Sequence, residues 1–379
     1  MPKKVLTVCI VFLLSSKLIN CQDTLRFSGQ FSTWVDLNKS ANLPLWGGAR
    51  YIPQLNLGTR NKSGGLFDSE VSLNAYGSAG THPFDTITLS GDIKPYRTWV
   101  RYSTEQLEVR VGLQRISFGS ASILRPLMWF DQIDPRDPLK LTDGVWGILG
   151  RYYFINNANI WLWCLYGNNK TKGWEVIPVN RKIPEFGGRF QIPVPGGEAA
   201  FSYHHRVADS RETGLPVPEY EKIGENRFGL DAKWDLVAGL WIEGSWSTKN
   251  KDIGMLNNEI AINAGIDYTF KLGSGLYTAF EQLLASTDEE PFAFENTRNF
   301  SLFTSSYPVG LSDKLSTFIY YDWKDDNIYS FVNWQKQFDK TMLYLIAYWN
   351  PETFLLPAQA GSQSLFAGKG IQIMFVLNH

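Results

Sequence analysis

Asp131, Asp134 and Asp137 recur at every third position in a stretch that also carries Arg125, Trp129 and Arg136. Carboxylates and guanidinium groups packed this densely can bind ions or orient dipolar solutes. The spacing D-x-x-D-x-x-D is not that of a calcium loop, which needs D-x-D-x-D-G. Upstream, Arg97 and Arg101 stand four apart, as do Arg110 and Gln114. In a strand each pair shares a face, which would make a short basic wall. The same residues also suit plain structural ion pairs. Elsewhere Ser202 precedes His204 by two, so a strand would make them neighbours, as a serine hydrolase requires. No G-x-S-x-G surrounds them. Glu243 and Glu281 offer two carboxylates for glycosidase chemistry, although acids lining a water-filled interior explain them more simply. The residues suggest no cofactor and no metal site.

What must position these groups is a set of strands. In Leu25–Leu37 the residues Leu25, Phe27, Phe31, Val35 and Leu37 alternate with Arg26, Ser28, Gln30, Ser32 and Asp36. In Asn226–Leu236 the apolar set Phe228, Leu230, Ala232, Trp234, Leu236 alternates with Arg227, Gly229, Asp231, Lys233, Asp235. Ile260 to Phe270 and Ile371 to Leu377 repeat the pattern. A period of two marks strands with one apolar and one polar face. These runs reach about 10 residues, the length a tilted membrane-crossing strand needs, against about 5–6 in a soluble sandwich. A sandwich core could not bury Arg227, Asp231 and Lys233 in one row, whereas a water-filled barrel can solvate them.

Eighteen such segments are legible: 25–37, 48–59, 66–76, 87–102, 107–116, 144–154, 158–166, 186–192, 198–206, 225–235, 239–247, 257–270, 276–285, 298–306, 313–323, 327–337, 341–349 and 366–378. Those at 158–166 and 298–306 alternate least clearly; without them the count is sixteen. Short connections such as Pro195-Gly196-Gly197 and Gly273-Ser274-Gly275 follow the even-numbered segments. Long ones, including 117–143, 167–185 and 207–224, follow most odd-numbered ones. Short turns on one side and long loops on the other are the pattern of an up-and-down outer-membrane barrel. Tyr102, Tyr152, Tyr268, Phe270, Tyr321 and Trp323 would sit in its interfacial belts.

The start of the chain reads as an export signal over residues 1–21, leaving 22–379 as one barrel domain. Lys3 and Lys4 precede the apolar run Val5 to Leu14, which is too short to cross a bilayer. Leu18-Ile19-Asn20-Cys21 approaches a lipidation box, with Asn20 where a small residue is expected. Beyond Cys9 and Cys21 the chain holds Cys164 alone, so the mature body has no internal disulfide. A formal net charge of −1 gives no reason to expect a nucleic-acid partner.

With these elements in place, the mature chain resembles Gram-negative outer-membrane porins along its whole length. Gly112-Leu113-Gln114-Arg115-Ile116-Ser117-Phe118-Gly119, followed by Pro126 and Asp134-Pro135-Arg136-Asp137, is similar to the G-x-Q-x-I-x-W-G…P-x-D pattern of alginate-export-like and related channels. Phe118 stands where Trp is commoner. The resemblance implies that the third outer loop, 117–143, folds into the lumen and narrows it. Composition agrees, because Ile123, Leu124, Leu127, Met128, Trp129, Phe130 and Ile133 need something to pack on. A loop laid over the rim is the other arrangement these residues allow.

The expected function is a non-enzymatic outer-membrane channel for passive diffusion of small polar or anionic solutes, saccharides among them. Arg125, Trp129, Asp131, Asp134, Arg136 and Asp137 would form the constriction, facing a wall of Arg97, Arg101, Arg110 and Gln114. Outer-membrane lipid is the expected partner, and a homo-oligomer is compatible. A sealed surface barrel serving as adhesin or scaffold, an outer-membrane hydrolase, and a secreted carbohydrate-binding sandwich are the alternatives.

Overall fold

The computed structural model describes residues 24–39, 44–61, 64–81, 87–134, 136–211, 213–352 and 366–379. The expected leader, 1–21, lies outside them. The strands are β1 (Thr24–Asn38), β2 (Leu45–Arg60), β3 (Leu66–Thr81), β4 (Ile87–Ser103), β5 (Leu107–Gln114), β6 (Val145–Tyr153), β7 (Asn159–Leu165), β8 (Glu185–Val194), β9 (Gly197–Ala208), β10 (Ile223–Asp235), β11 (Gly239–Lys249), β12 (Asn258–Phe270), β13 (Leu276–Asp288), β14 (Thr297–Pro308), β15 (Asp313–Asp322), β16 (Asn327–Gln337), β17 (Thr341–Trp349) and β18 (Lys369–Asn378). Each pairs antiparallel with its chain neighbours, and β18 pairs with β1 from Gln30↔Asn378 to Asn38↔Gly370. The sheet is therefore a closed 18-stranded barrel. β7 and β14, at the two segments that alternate least clearly, are full members, so the count is not sixteen.

The alternation in sequence becomes an outer and an inner face. On β10, Leu230 is 64% exposed, whereas its neighbour Asp231 is 5% exposed. On β12, Ile262 and Ile266 are exposed and Asn263 is buried. Tyr152, Tyr268, Phe270 and Trp323 lie exposed at strand ends. Tyr102 is half-buried against Phe67, and Tyr321 packs edge-on to Trp323.

Several boundaries differ from the sequence expectation. β2 starts at Leu45, and β3 runs on to Thr81, through stretches such as Gly77-Ser78-Ala79-Gly80 that read as loop. Pairing with long neighbours holds small residues in strand where their own propensity would not. β5 ends at Gln114, because Ile116 and Phe118 have left the wall to pack with Trp163 and Val145. β18 begins at Lys369.

On β4 an extra residue is inserted: Ser72 faces Arg97 while Leu73 faces Pro95, leaving Tyr96 unmatched. Pro95 has no N–H to lose from the ladder. The bulge resets the alternation, so that Lys94, partnered by Asn74, and Arg97, partnered by Ser72, both face inward.

Candidate functional site

Beyond Gln114 the chain crosses to the opposite side of the barrel and is caught there by two strand carboxylates. Glu243, inward on β11, accepts the backbone N–H of Ala121 at 2.8 Å and of Leu127 at 2.6 Å. Glu281, inward on β13, accepts those of Ser122 at 3.1 Å, Ile123 at 2.9 Å and Leu124 at 2.6 Å. The Asn263 amide also donates to Glu281, at 3.3 Å. Amide-to-carboxylate bonds are among the stronger protein hydrogen bonds, and successive N–H groups make a natural anion cradle. Gly119 lies so close that a Cβ there would collide with the Glu243 carboxylate, and its φ of 106° suits glycine. Two side-chain contacts extend the tether. Ser120 donates to Asp231 at 2.8 Å, and the Trp129 indole donates to Ser245 at 2.9 Å.

The apolar residues of the segment fill the space that this route opens. Leu127, Trp129 and Phe130 pack with Phe118, Trp163, Val145 and Leu149. Leu124, with Ile123 and Leu139 beside it, packs on Tyr320, Tyr329, Tyr344 and Phe331 of the β15–β17 side. The segment thus touches walls on both sides of the barrel.

The charged residues of the segment pair mostly with one another. Arg125 bonds Asp131 at 3.1 Å and also donates to Ser117 and the Phe118 carbonyl. Arg136 forks onto Asp134 at 2.8 and 2.7 Å and lies over the Phe366 ring. Asp137 accepts the Leu139 N–H at 3.0 Å, and burial pushes its carboxyl above the usual range.

Arg97, Arg101, Arg110 and Gln114 do share the inner face of β4 and β5. Arg101 forks onto Asp68 at 2.8 and 2.7 Å. Glu108 gathers Arg101 at 3.3 Å, Arg110 at 3.1 Å and Arg151 at 3.4 Å. Arg110 stacks on Trp99 and Arg151 on Trp161, with the guanidinium 4.7 and 3.8 Å from the ring centres. Arg97 is buried and donates to the Thr142 carbonyl at 2.8 Å, so it fastens the returning limb of the segment. Gln114 is fully buried and donates to the carbonyls of Arg110 and Gly147.

The residues considered for hydrolysis have other partners. Ser202 accepts from Arg189 at 3.1 Å. His204 accepts the Trp163 indole N–H at Nδ1, and its Nε2 faces Glu185 at 3.3 Å. Glu243 and Glu281 serve the segment backbone. Among the described residues no cluster of His, Cys, Asp or Glu is gathered for a metal.

Above the segment a cavity of about 390 Å³ opens toward the long-loop rim, lined among others by Trp129, Trp174, Arg227, Glu259 and Arg298. Glu175, from the β7–β8 connection, bridges Arg206 and Arg227 at 3.4 and 2.9 Å. Sequence reasoning missed Asp68, Glu108, Arg151 and Arg189 as members of this interior. Their inward alternation was the available signal.

No protein-family model matches the chain, and no curated protein matches its sequence. Solved structures do match its fold. OccK7 (OpdD) of Pseudomonas aeruginosa is similar at a TM-score of 0.54 and 10% identity, over 94% of this chain and 98% of that one. OccAB4 of Acinetobacter baumannii gives 0.52 and 9%, over 94% and 97%. OmpT of Vibrio cholerae, an outer membrane protein in trimer form, gives 0.50 and 11%, over 94% and 99%. The fold is that of an outer-membrane porin-like barrel.

Proposed function

We propose that this chain is an outer-membrane channel for passive diffusion of small polar solutes, favouring anions, and that the segment 117–143 narrows its passage. One observation carries the reading. A long apolar segment is held across a charged barrel interior by five backbone hydrogen bonds to Glu243 and Glu281. A sealed scaffold has no need of a charged interior, whereas a water-filled passage does. Preference for anions follows from the β2–β6 wall. Its inward side carries Arg50, Arg60, Lys94, Arg97, Arg101, Arg110 and Arg151 against Asp68, Glu70, Asp92 and Glu108. That excess of positive charge raises the local anion concentration. Trp99 and Trp161 beside these arginines offer faces on which sugar rings could stack.

Purified protein in a planar bilayer provides the test. Discrete conductance steps, with anions passing more readily than cations and oligosaccharides transiently blocking the current, are expected. Complete absence of steps would leave the sealed adhesin or scaffold as the better account.

A further inference from the structure

Backbone pairing is complete on one side of β4 only. From Ile87 to Ser103 the strand pairs with β3 along its whole length. With β5 it pairs only from Thr98↔Leu113 to Ser103↔Glu108, because β5 ends at Gln114. Ile87–Arg97 therefore rises past β5 with one edge unpaired. The foot of that run is held by the returning limb of the segment, through Arg97 to the Thr142 carbonyl and Lys94 to Asp143 at 2.7 Å. From Ile93 upward, no backbone hydrogen bond closes the edge among the described residues.

One side-chain contact shows which groups face the gap. The Ile93 N–H donates to the Asp92 carboxylate at 2.8 Å, so it points away from β3. Strand backbone alternates, and Ile87, Leu89 and Gly91 share that direction. Pro95 continues the series and has no N–H to leave open. The edge thus offers donors and acceptors about 6.6 Å apart, a ladder that another extended chain matches. Counting up from Ser103, about ten tilted residues cross the apolar membrane band of about 25 Å and end near Ile93. The open edge stands above that band, where a polypeptide in water can reach it.

The two faces of the run differ. Ile87, Leu89 and Ile93 point outward and are 73%, 77% and 72% exposed. Thr88, Ser90, Asp92 and Lys94 alternate with them on the inward side. An added strand would find apolar cross-strand neighbours on one face and polar ones on the other. At the foot lies a cavity of about 220 Å³, lined among others by Lys94, Pro95, Asp143, Lys170 and Lys172. Asp143 is shared by Lys94 at 2.7 Å and Lys170 at 3.8 Å, and Lys172 adds a third ammonium side chain. Three cations against one carboxylate leave this notch positive, which attracts an acidic group. A second copy pairing through its own β4 would set the same lysines beside these.

We propose that the open edge of β4, from Ile87 to Ile93, binds an extended segment of another polypeptide, which adds as a strand and sets an acidic residue in the lysine notch. Main-chain hydrogen bonds hold such a segment, and its alternate side chains give the choice of partner. The Asp92 carboxylate on the Ile93 N–H yields its place to a carbonyl of the incoming strand. This inference rests on the membrane-barrel fold and not on conduction.

The test selects a phage-displayed library of random peptides on the purified protein in phosphatidylcholine nanodiscs. Enriched peptides should alternate apolar and polar residues and carry Asp or Glu at one end. Leu89→Pro removes an N–H from the open edge and puts its ring in the gap, while the β3 ladder keeps its bonds. It should weaken binding of an enriched synthetic peptide roughly tenfold, with the barrel still heat-modifiable. Lys170→Glu should weaken the same peptide several-fold and turn the selection toward peptides with Lys at that end. Methylating alternate peptide amides should abolish binding in one register and spare it in the other. That readout leaves the protein untouched, so it decides alone if Leu89→Pro fails to fold. No enrichment beyond that on Leu89→Pro would overturn the proposal, as would peptides indifferent to methylation in both registers or basic where acid is expected. A photo-crosslinking amino acid at Leu89 that captures only a second copy of this chain would assign the edge to self-pairing and overturn it too.

Discussion

At the scale of single residues, Glu243 and Glu281 carry the most consequence. Each is buried, and each spends its carboxylate on backbone N–H groups of one segment. Replacing Glu281 by Gln keeps the shape but turns one acceptor into a donor aimed at amides that also donate. We expect a loss of about 1–3 kcal/mol in the holding of the segment. It should be read as added flicker in single-channel records, with the barrel still heat-modifiable; records as quiet as wild type would mean that packing alone fixes the segment. Asp134 tests the charge logic. Asp134→Asn leaves Arg136 without its forked partner. Selectivity should move toward anions, and the shift should fade near 1 M salt, where the Debye length is about 3 Å. Unchanged reversal potentials would place Arg136 away from the ion path.

At the scale of elements, the strands make a two-sided demand that can be tested on β10. Leu230→Arg sets a charge on the lipid face and should cost roughly 2–4 kcal/mol near mid-bilayer, measured by urea unfolding in lipid. Lys233→Gln, on the inner face and only loosely paired with Asp235 at 3.4 Å, should fold as wild type. Equal sensitivity at both sites would contradict a lipid-facing register. The segment itself is the other element. Deleting 122–136 should raise conductance, but it also strips Glu281 of its three backbone partners and Glu243 of Leu127. The clean form of the experiment therefore combines the deletion with Glu243→Gln and Glu281→Gln, so that no uncompensated buried charge confuses the outcome. Conductance no larger than wild type in that variant would assign the segment to the rim.

At the scale of the whole molecule, closure through β1 and β18 leaves both described ends on the short-turn side. Epitopes inserted in the β9–β10 connection should be labelled on intact cells, and epitopes beside Ser274 only after permeabilisation. The opposite labelling would invert the barrel. Strand length is the other whole-molecule property: β1–β4 run 15 to 17 residues, so the barrel has one side unlike the others.

The sequence by itself pointed to eighteen strands with sixteen left open, and determined the face of most strands and the end of the barrel at which the long connections gather; pairing of β7 and β14 settled the count. It could do so because alternation is a local property: a residue's parity decides whether it meets lipid or the interior. It also located the long apolar segment and its arginines and aspartates. Only the tertiary structure decided what those groups touch. That Glu243 would hold Ala121 and Leu127, more than a hundred positions away, depends on how far the sheet has curved when β11 comes to face β5. That Arg97 would clamp Thr142 depends on one extra residue at Tyr96, which no periodicity announces. The length of β1–β4 was hidden for a related reason. Glycine, alanine and serine read as loop when taken alone, and only pairing with long neighbours, a contact between distant stretches of chain, makes them strand.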